Sequence, residues 1–476
     1  METLKSELTK LYFMKDEIEK NIKTLESKLE KMVSFSFVLK DSIYISMTNL
    51  SASLITELKS LAIFPNPQIK ILQNLRKPIY NTPKNILNFE IADNILKLPR
   101  GLMRDVISVL HSYNIKYHIK DERTLNKFIF PHLKYTLRDD QVISIEAIRK
   151  KDFSIFVAPP GFGKTLIASK MIELRGVNTL IIVNKNMLLD QWIERFIQYF
   201  GMSKEDIGIL GKSKNTLNNN LDIATMQSLK NNPEIIKNYS FVIVDECHHI
   251  PALTFENIIK QFYGKYILGL SATPNRKDAM EPILFQQLGN ISYEVKSKKT
   301  NKKILNIVHT DFESECDNFG DLIGEIICNK TRNELIVKQI IDHKERKILV
   351  LTDRIEHIKN LSNLLDEAAI KYTAIHGSMK KKIQDENFKS IEDASVVLAT
   401  SSYFGEGIDF PHLDTIIFAT PISFSGRLVQ YLGRIGRLGD DCLAIDILDI
   451  KNNFTKSAFR KRKEGYDQLF YKIKNN

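Results

Sequence analysis

Ala158-Pro159-Pro160-Gly161-Phe162-Gly163-Lys164-Thr165 follows a short apolar run, Ser154–Val157, and opens a helix-length amphipathic segment. A backbone that binds a phosphate chain must converge several N–H groups, which calls for glycine-permitted geometry, and must place a helix N-terminus against the negative charge. Pro160, Gly161, Phe162 and Gly163 supply such a loop. Lys164 has the reach for the β- and γ-phosphates, and the Thr165 hydroxyl can hold Mg2+. Ala158 stands where the usual pattern has its first glycine, so the octapeptide taken alone also fits a glycine turn that caps a helix.

Moving outward, Thr179–Val183, Phe241–Val244 and Tyr266–Leu270 are further short apolar runs alternating with helix-length segments, the rhythm of a parallel sheet with crossover helices. Asp245-Glu246-Cys247-His248 lies at the C-terminal end of one such run. A parallel sheet delivers that end to the edge where the phosphate loop stands. There Asp245 can hold Mg2+ through water, and Glu246 can orient and deprotonate an attacking water. Loop and acidic pair together read as a nucleoside-triphosphatase site. His248-His249 has no further ligand at zinc spacing.

A second βα series follows, with strands expected at Lys347–Leu351, Tyr372–Ile375, Ser395–Ala399, Thr415–Ala419 and Leu443–Ile447. The fold class is therefore α/β, with two tandem parallel-sheet domains at 128–294 and 336–476 joined by a linker at 295–335. Residues 46–127 read as a small accessory α/β domain, strand–helix–strand around Leu98-Pro99-Arg100-Gly101. Residues 1–45 carry a heptad through Leu4, Leu8, Leu11, Lys15, Ile18, Ile22, Leu25, Leu29 and Met32. That seam fits an amphipathic helix docked on its own domain or a coiled coil with a second chain, through self-association or a partner.

These motifs resemble, in order, those of superfamily 2 helicases of the DExH type, from about residue 85 to the end. The resemblance implies RecA-like motor domains that use ATP and Mg2+. Leu137–Gln141 is similar to the motif preceding the phosphate loop; Arg138 and Gln141 would bind the nucleotide, the glutamine reading adenine. Gln191, and Thr225, Gln227 and Ser228 in the next motif, would contact a nucleic-acid strand; Ser271 and Thr273 would couple hydrolysis to its movement. In the second domain Thr400, Ser401, Gly407 and Asp409 match motif V, and Gln430, Arg434 and Arg437 motif VI. Arg276 and Asp278 match a short element of the XPB-like and UvsW-like translocases, and the accessory domain, through Asn85–Arg123, resembles the small DNA-distorting domain that precedes the motor there. The motifs resemble most closely helicases of primase–helicase conflict systems in bacterial mobile elements, although a heptad-bearing segment stands where many of those carry a primase. Independently of the resemblance, a transferring phosphoryl group develops charge that a lysine and Mg2+ cover only in part. Arg434 and Arg437, three apart on a helix face, are placed to complete that clamp from the second domain, so that hydrolysis requires domain closure.

Composition agrees with this reading. The chain has 476 residues and a formal charge of +11, which suits a polyanionic partner. Its four cysteines show no framework spacing, which suits a reducing cytoplasm, and no apolar stretch is long enough for a membrane span. The expected partner is DNA as duplex, fork or junction. An RNA-directed ATPase shares every hydrolysis motif, and a motor subunit or assembly platform of a larger nuclease or primase complex, without net unwinding, is the reading from another class. Lone Trp192 reads as core packing, Lys380–Lys382 as a solvated face, and Arg460–Lys463 as either a solvated face or a nucleic-acid contact.

Overall fold

The computed structural model describes residues 14–22 apart from 16, and 35–474 apart from 250–251, 273–278, 296–302, 317, 392, 405–411, 423–424 and 436–440. Most of the heptad, and the expected site residues Thr273, Arg276, Asp278, Gly407, Asp409 and Arg437, lie outside the described residues. Within 14–22 the chain is helical, and the seam residues Ile18 and Ile22 are exposed. Among the described residues no helix is long and apolar enough to cross a membrane.

Three larger sheets organise the described residues, beside an antiparallel two-stranded pair of Ile63–Pro65 and Asn85–Leu87. The smallest of the three runs Glu90–Ala92, Ile95–Pro99, Ser42–Ser46, Phe35–Leu39, Tyr117–Asp121. It is antiparallel except for the last pair, and it buries Phe37, Ile43, Ile45, Leu96 and Leu98 with helices Ala52–Ser60 and Met103–Ser112. Two of its strands, Phe35–Leu39 and Ser42–Ser46, fall where the sequence leads one to expect helix up to residue 45. Alternation of Phe37, Leu39, Ile43 and Ile45 faces the core at period two and overrides the helical register of the preceding segment.

The first large sheet runs Lys214–Asn215, Gly208–Gly211, Leu221–Thr225, Thr179–Val183, Phe241–Val244, Tyr266–Ser271, Phe153–Val157, Ile291–Glu294. Every pairing except the first is parallel. Separate apolar cores lie on its two faces, which is why its central strands are apolar throughout. The second large sheet is wholly parallel: Thr373–Ile375, Val396–Thr400, Ile348–Thr352, Thr415–Phe418, Cys442–Asp449, Lys303–Thr310, Lys472–Ile473. Strand Lys303–Thr310 lies in the span expected to be linker, and it pairs along its whole length with Cys442–Asp449. The basic C-terminal segment is helix Asn453–Gln468, and Arg462 in it is buried in a bidentate pair with Asp446 that also takes the Tyr466 hydroxyl. That arginine belongs to the core and is not available to nucleic acid.

The small sheet is fastened to the first large one at Leu98-Pro99-Arg100-Gly101. Arg100 is fully buried and donates to the carbonyls of Ile259, Phe262 and Gly264, with its guanidinium 4.9 Å from the Phe262 ring. Burial pushes it down to about 9, with nearby Asp41 opposing the fall and Arg123 adding to it. A Cβ at Gly101 would come within 2.5–2.6 Å of the Gln286 and Phe285 carbonyls and the Gly289 amide. Gly101→Val is expected to part the two units, seen as a new protease-sensitive site near residues 121–128 and a second, earlier unfolding transition.

In the second large domain His357 is fully buried; its Nε2 donates to Asn333 Oδ1 and its Nδ1 accepts from the Thr352 hydroxyl, each at 2.8 Å. Burial, helped by nearby Arg332, pushes the imidazole down to about 3. The unfolded chain takes up a proton as pH falls through about 6.5, while the folded chain stays neutral. The contribution is therefore present above that pH and is lost on acidification, at up to about 1.4 kcal/mol per pH unit. The thermal midpoint is expected to fall between pH 6.5 and 5, and His357→Gln to flatten that slope.

Candidate active site between the two large domains

Strand Phe153–Val157 ends in the phosphate loop, and helix Lys164–Arg175 begins at its far side. Gly161 and Gly163 have φ of 81° and 100°, a region that side chains strain to enter. Lys164 Nζ lies 3.3 Å from Ala158 O and 3.3 Å from Glu246 Oε1. The lysine and the acidic residue are thus in direct contact across the mouth of the loop.

Asp245 and Glu246 follow strand Phe241–Val244. The Asp245 amide continues the ladder by donating to Ile182 O at 2.9 Å. Its Oδ1 accepts from the Glu246 amide at 3.0 Å and its Oδ2 from Trp192 Nε1 at 2.9 Å. Burial first, then neighbouring Glu246, push the Asp245 carboxyl up to about 6; the Trp192 N–H and Lys164 oppose this. Glu246 has φ of 45°, uncommon for a residue with a side chain. This turn sends its carboxylate toward the Ala272 amide, 3.3 Å from Oε2, and toward Lys164.

Behind the acidic pair, buried His248 spans the domains. Its Nδ1 lies 2.9 Å from Ser271 Oγ, and its Nε2 lies 3.1 Å from Gln430 Nε2, on helix Ser425–Leu432 of the second domain. The Nδ1 side of the ring also lies 3.5 Å from Glu246 Oε2, so the imidazole touches the acidic pair, Ser271 and the second domain together. Gly433 makes a further close contact, since a Cβ there would lie 2.7–2.9 Å from the Pro160 ring. Arg434 is mostly buried and donates to Phe404 O at 2.8 Å.

A cavity of about 460 Å3 lies between the two domains. Pro160, Gly161, Gly163, Lys164, Thr165, Asp245 and Glu246 line it from one side, and Ser401, Gln430 and Arg434 from the other. Arg138 and Gln141 are not on its wall. Gln141 is buried behind the loop, accepting from the Arg138 amide at 3.0 Å and donating to Phe162 O at 2.8 Å, while Arg138 Nη2 also reaches Phe162 O. Gln191 lines the cavity. Thr225 caps helix Met226–Asn231 by accepting from the Ser228 amide, its hydroxyl 2.8 Å from the Ser228 hydroxyl; Gln227 is exposed. Thr400 ends strand Val396–Thr400, and Ser401 Oγ donates to Thr352 O.

Sequence reading missed Lys185, Arg195 and Arg427, all on the cavity wall. Arg427 carried a usable signal, because it precedes Gln430 by three residues on the same helix, Ser425–Leu432; Arg434, expected on a helix face, instead lies in the turn that follows. Trp192 is core packing as expected, but its bond to Asp245 joins residues 53 apart and left no sequence trace.

Residues 134–276 match the family of the type III restriction enzyme res subunit, and residues 331–439 the helicase conserved C-terminal domain. The two matches together span more than half of the chain. The chain is similar to probable helicase D10 of Escherichia phage T5, at 26% identity over 357 residues, 72% of this chain and 77% of that protein. It is also similar to DNA 3'-5' translocase XPB2 of Sulfurisphaera tokodaii, at 25% over 399 residues, covering 72% and 89%. Among solved structures, Saccharomyces cerevisiae Dbp5 bound to RNA and ADP BeF3 aligns with a TM-score of 0.51 and 12% identity over 79% of this chain and 93% of that one, a likeness of fold.

Gly433→Val would drive a branched side chain into Pro160 and hold the domains apart. The expected result is a fall in kcat for ATP of about tenfold or more, with nucleotide affinity changed by less than about threefold, as for an interaction made chiefly in the transition state.

Proposed function

Because the chain belongs to helicase superfamily 2 and is an ATP-hydrolysing helicase or translocase, we propose that it moves on duplex or branched DNA, with closure of its two large domains on ATP as the working stroke. The observation that carries this reading is the His248 bridge, which ties the segment after the acidic pair to Ser271 on one side and to Gln430 of the other domain. A group so connected feels both the state of the nucleotide pocket and the separation of the domains.

The roles follow from the contacts. Lys164 exchanges Glu246 for phosphate oxygens when ATP enters, since a polyphosphate is the stronger anion. That exchange frees Glu246 to accept a proton from the attacking water, while the Ala272 amide continues to orient it. Thr165 and Asp245 offer the hard oxygen donors that Mg2+ takes, and both line the cavity. When bound, Mg2+ neutralises charge on the β- and γ-phosphate oxygens. Arg434 faces the cavity from the second domain, and Arg437 follows it in the motif; both are assigned to the developing charge of the transferring group. Gln141 and Arg138 hold the loop from behind, so adenine recognition would be read out through Phe162 and Gly163. Gln191, Thr400 and Ser401 remain assigned to the nucleic-acid strand or its coupling, and Thr225 acts there by shaping the turn that carries Gln227 and Ser228.

DNA is favoured over RNA by the resemblance of the accessory unit to a DNA-distorting domain and by the similarity to a relative named as a DNA translocase. The mobile-element and defence setting, alongside repair or recombination, belongs to the same proposal and rests on the motifs and on the phage relative. The test compares ATP hydrolysis stimulated by duplex, forked, junction and single-stranded DNA and by RNA. Branched or duplex DNA is expected to stimulate most, and stimulation by RNA alone would overturn the reading. Lys164→Ala is expected to abolish turnover. Glu246→Gln is expected to retain ATP binding and to lose about 10²–10⁴-fold in kcat, the range for a positioned general base. A kcat within threefold of wild type would remove Glu246 from the mechanism.

A further inference from the structure

Helix Asn186–Phe200 has two working faces. Leu188, Gln191 and Arg195 line the cavity, while Leu189, Trp192 and Phe196 are buried under the sheet. The Trp192 ring is 2% exposed and packs against Phe196 with centroids 5.4 Å apart, so it has no room to swing away. Its only hydrogen-bonding atom, Nε1, donates to Asp245 Oδ2, while Oδ1 of the same carboxylate takes the Glu246 amide. Two donors from two different segments therefore set the plane of the carboxylate. One of those segments is the helix whose opposite face meets the cavity.

We infer that Trp192 is a positioning residue for the metal-holding carboxylate Asp245, and that through it the cavity-facing helix Asn186–Phe200 controls how firmly Mg2+ is held. The inference rests on the assignment of Asp245 to the metal. An indole that merely needed an acceptor for a buried N–H would be satisfied by any carbonyl nearby. Here the acceptor is instead the carboxylate at the phosphate loop, and outer partners of that kind orient metal ligands. Any displacement of the helix by a ligand at Gln191 or Arg195 would shift Asp245 with it.

Trp192 is the chain's one tryptophan, so biosynthetic replacement of tryptophan changes a single site. Benzothienylalanine keeps the bicyclic shape and puts sulfur where the N–H was. With a non-hydrolysable ATP analogue and Mn2+ as the probe, titrated by electron paramagnetic resonance, the full-length protein carrying this residue is expected to bind Mn2+ about 10-fold more weakly, the usual effect of losing an outer-shell partner. Its melting temperature and its metal-free nucleotide affinity are expected to match wild type. Trp192→Phe is expected to weaken Mn2+ similarly. Mn2+ affinity within twofold of wild type in the benzothienyl protein would overturn the inference. Asp245→Asn separates the two ideas. If it binds Mn2+ as wild type does, the metal assignment itself is wrong; if it loses Mn2+ while the benzothienyl protein does not, only the role of Trp192 fails.

Discussion

Strand Phe241–Val244 pairs in parallel with Thr179–Val183 on one side and Tyr266–Ser271 on the other, and the latter pairs in parallel with Phe153–Val157. Parallel pairing sends the carboxyl ends of all four strands to one edge, where none can continue without a turn. Four chain segments distant in sequence must leave the sheet there side by side: the phosphate loop, Asn184-Lys185, Asp245-Glu246 and Ser271-Ala272. The active site is a consequence of that crowding. Asp245 still donates its amide to Ile182, so the acidic turn begins as an extension of the ladder and inherits its rigidity. Glu246 then turns sharply through a left-handed conformation, a local strain that the surrounding ladder can hold.

A site assembled on one sheet edge is open on its other side, and the second domain closes it with contacts of different kinds. Gly433 approaches Pro160 so closely that only a missing side chain permits it. Gln430 reaches the His248 ring at 3.1 Å. The first is a steric stop and the second a directional bond, so together they specify both how near the domains come and in what register. Arg434, held by Phe404 O, lines the cavity beside both contacts.

The parts that sequence made legible are those where backbone chemistry restricts residue choice. Gly161 and Gly163 stand out because few other residues tolerate their φ, and Phe241–Val244 stands out because a strand buried on both faces is apolar throughout. The two tandem parallel sheets followed from that rhythm. What stayed hidden depends on partners far along the chain. Lys303–Thr310 reads as linker because its polar neighbours mask it, and it becomes a strand only by pairing with Cys442–Asp449. Phe35–Leu39 lies just beyond a heptad whose period dominates the local pattern, and its parallel partner, Tyr117–Asp121, comes some eighty residues later. Arg462 sits in a basic run that looks solvated, yet Asp446 on the adjacent strand draws it into the core. Gln141 was legible as a site residue but not in its place behind the loop, because which face of the loop it supports depends on where Phe162 O points.

The attachment of the small sheet extends the same logic. Arg100 donates to carbonyls at 259–264, the stretch that closes the helix following the acidic pair and leads into strand Tyr266–Ser271. Gly101 meanwhile lies against backbone at 285–289, the end of the next helix, Glu281–Leu288. Both anchors fall in the first large domain, and both are backbone contacts, which do not re-form in alternative positions as exposed side-chain pairs can. The small sheet is therefore bound to shift with the first large sheet, not independently of it. In the proposed working stroke, the second domain would therefore move against that combined unit, and a strand held by the accessory sheet would keep its place relative to the phosphate loop.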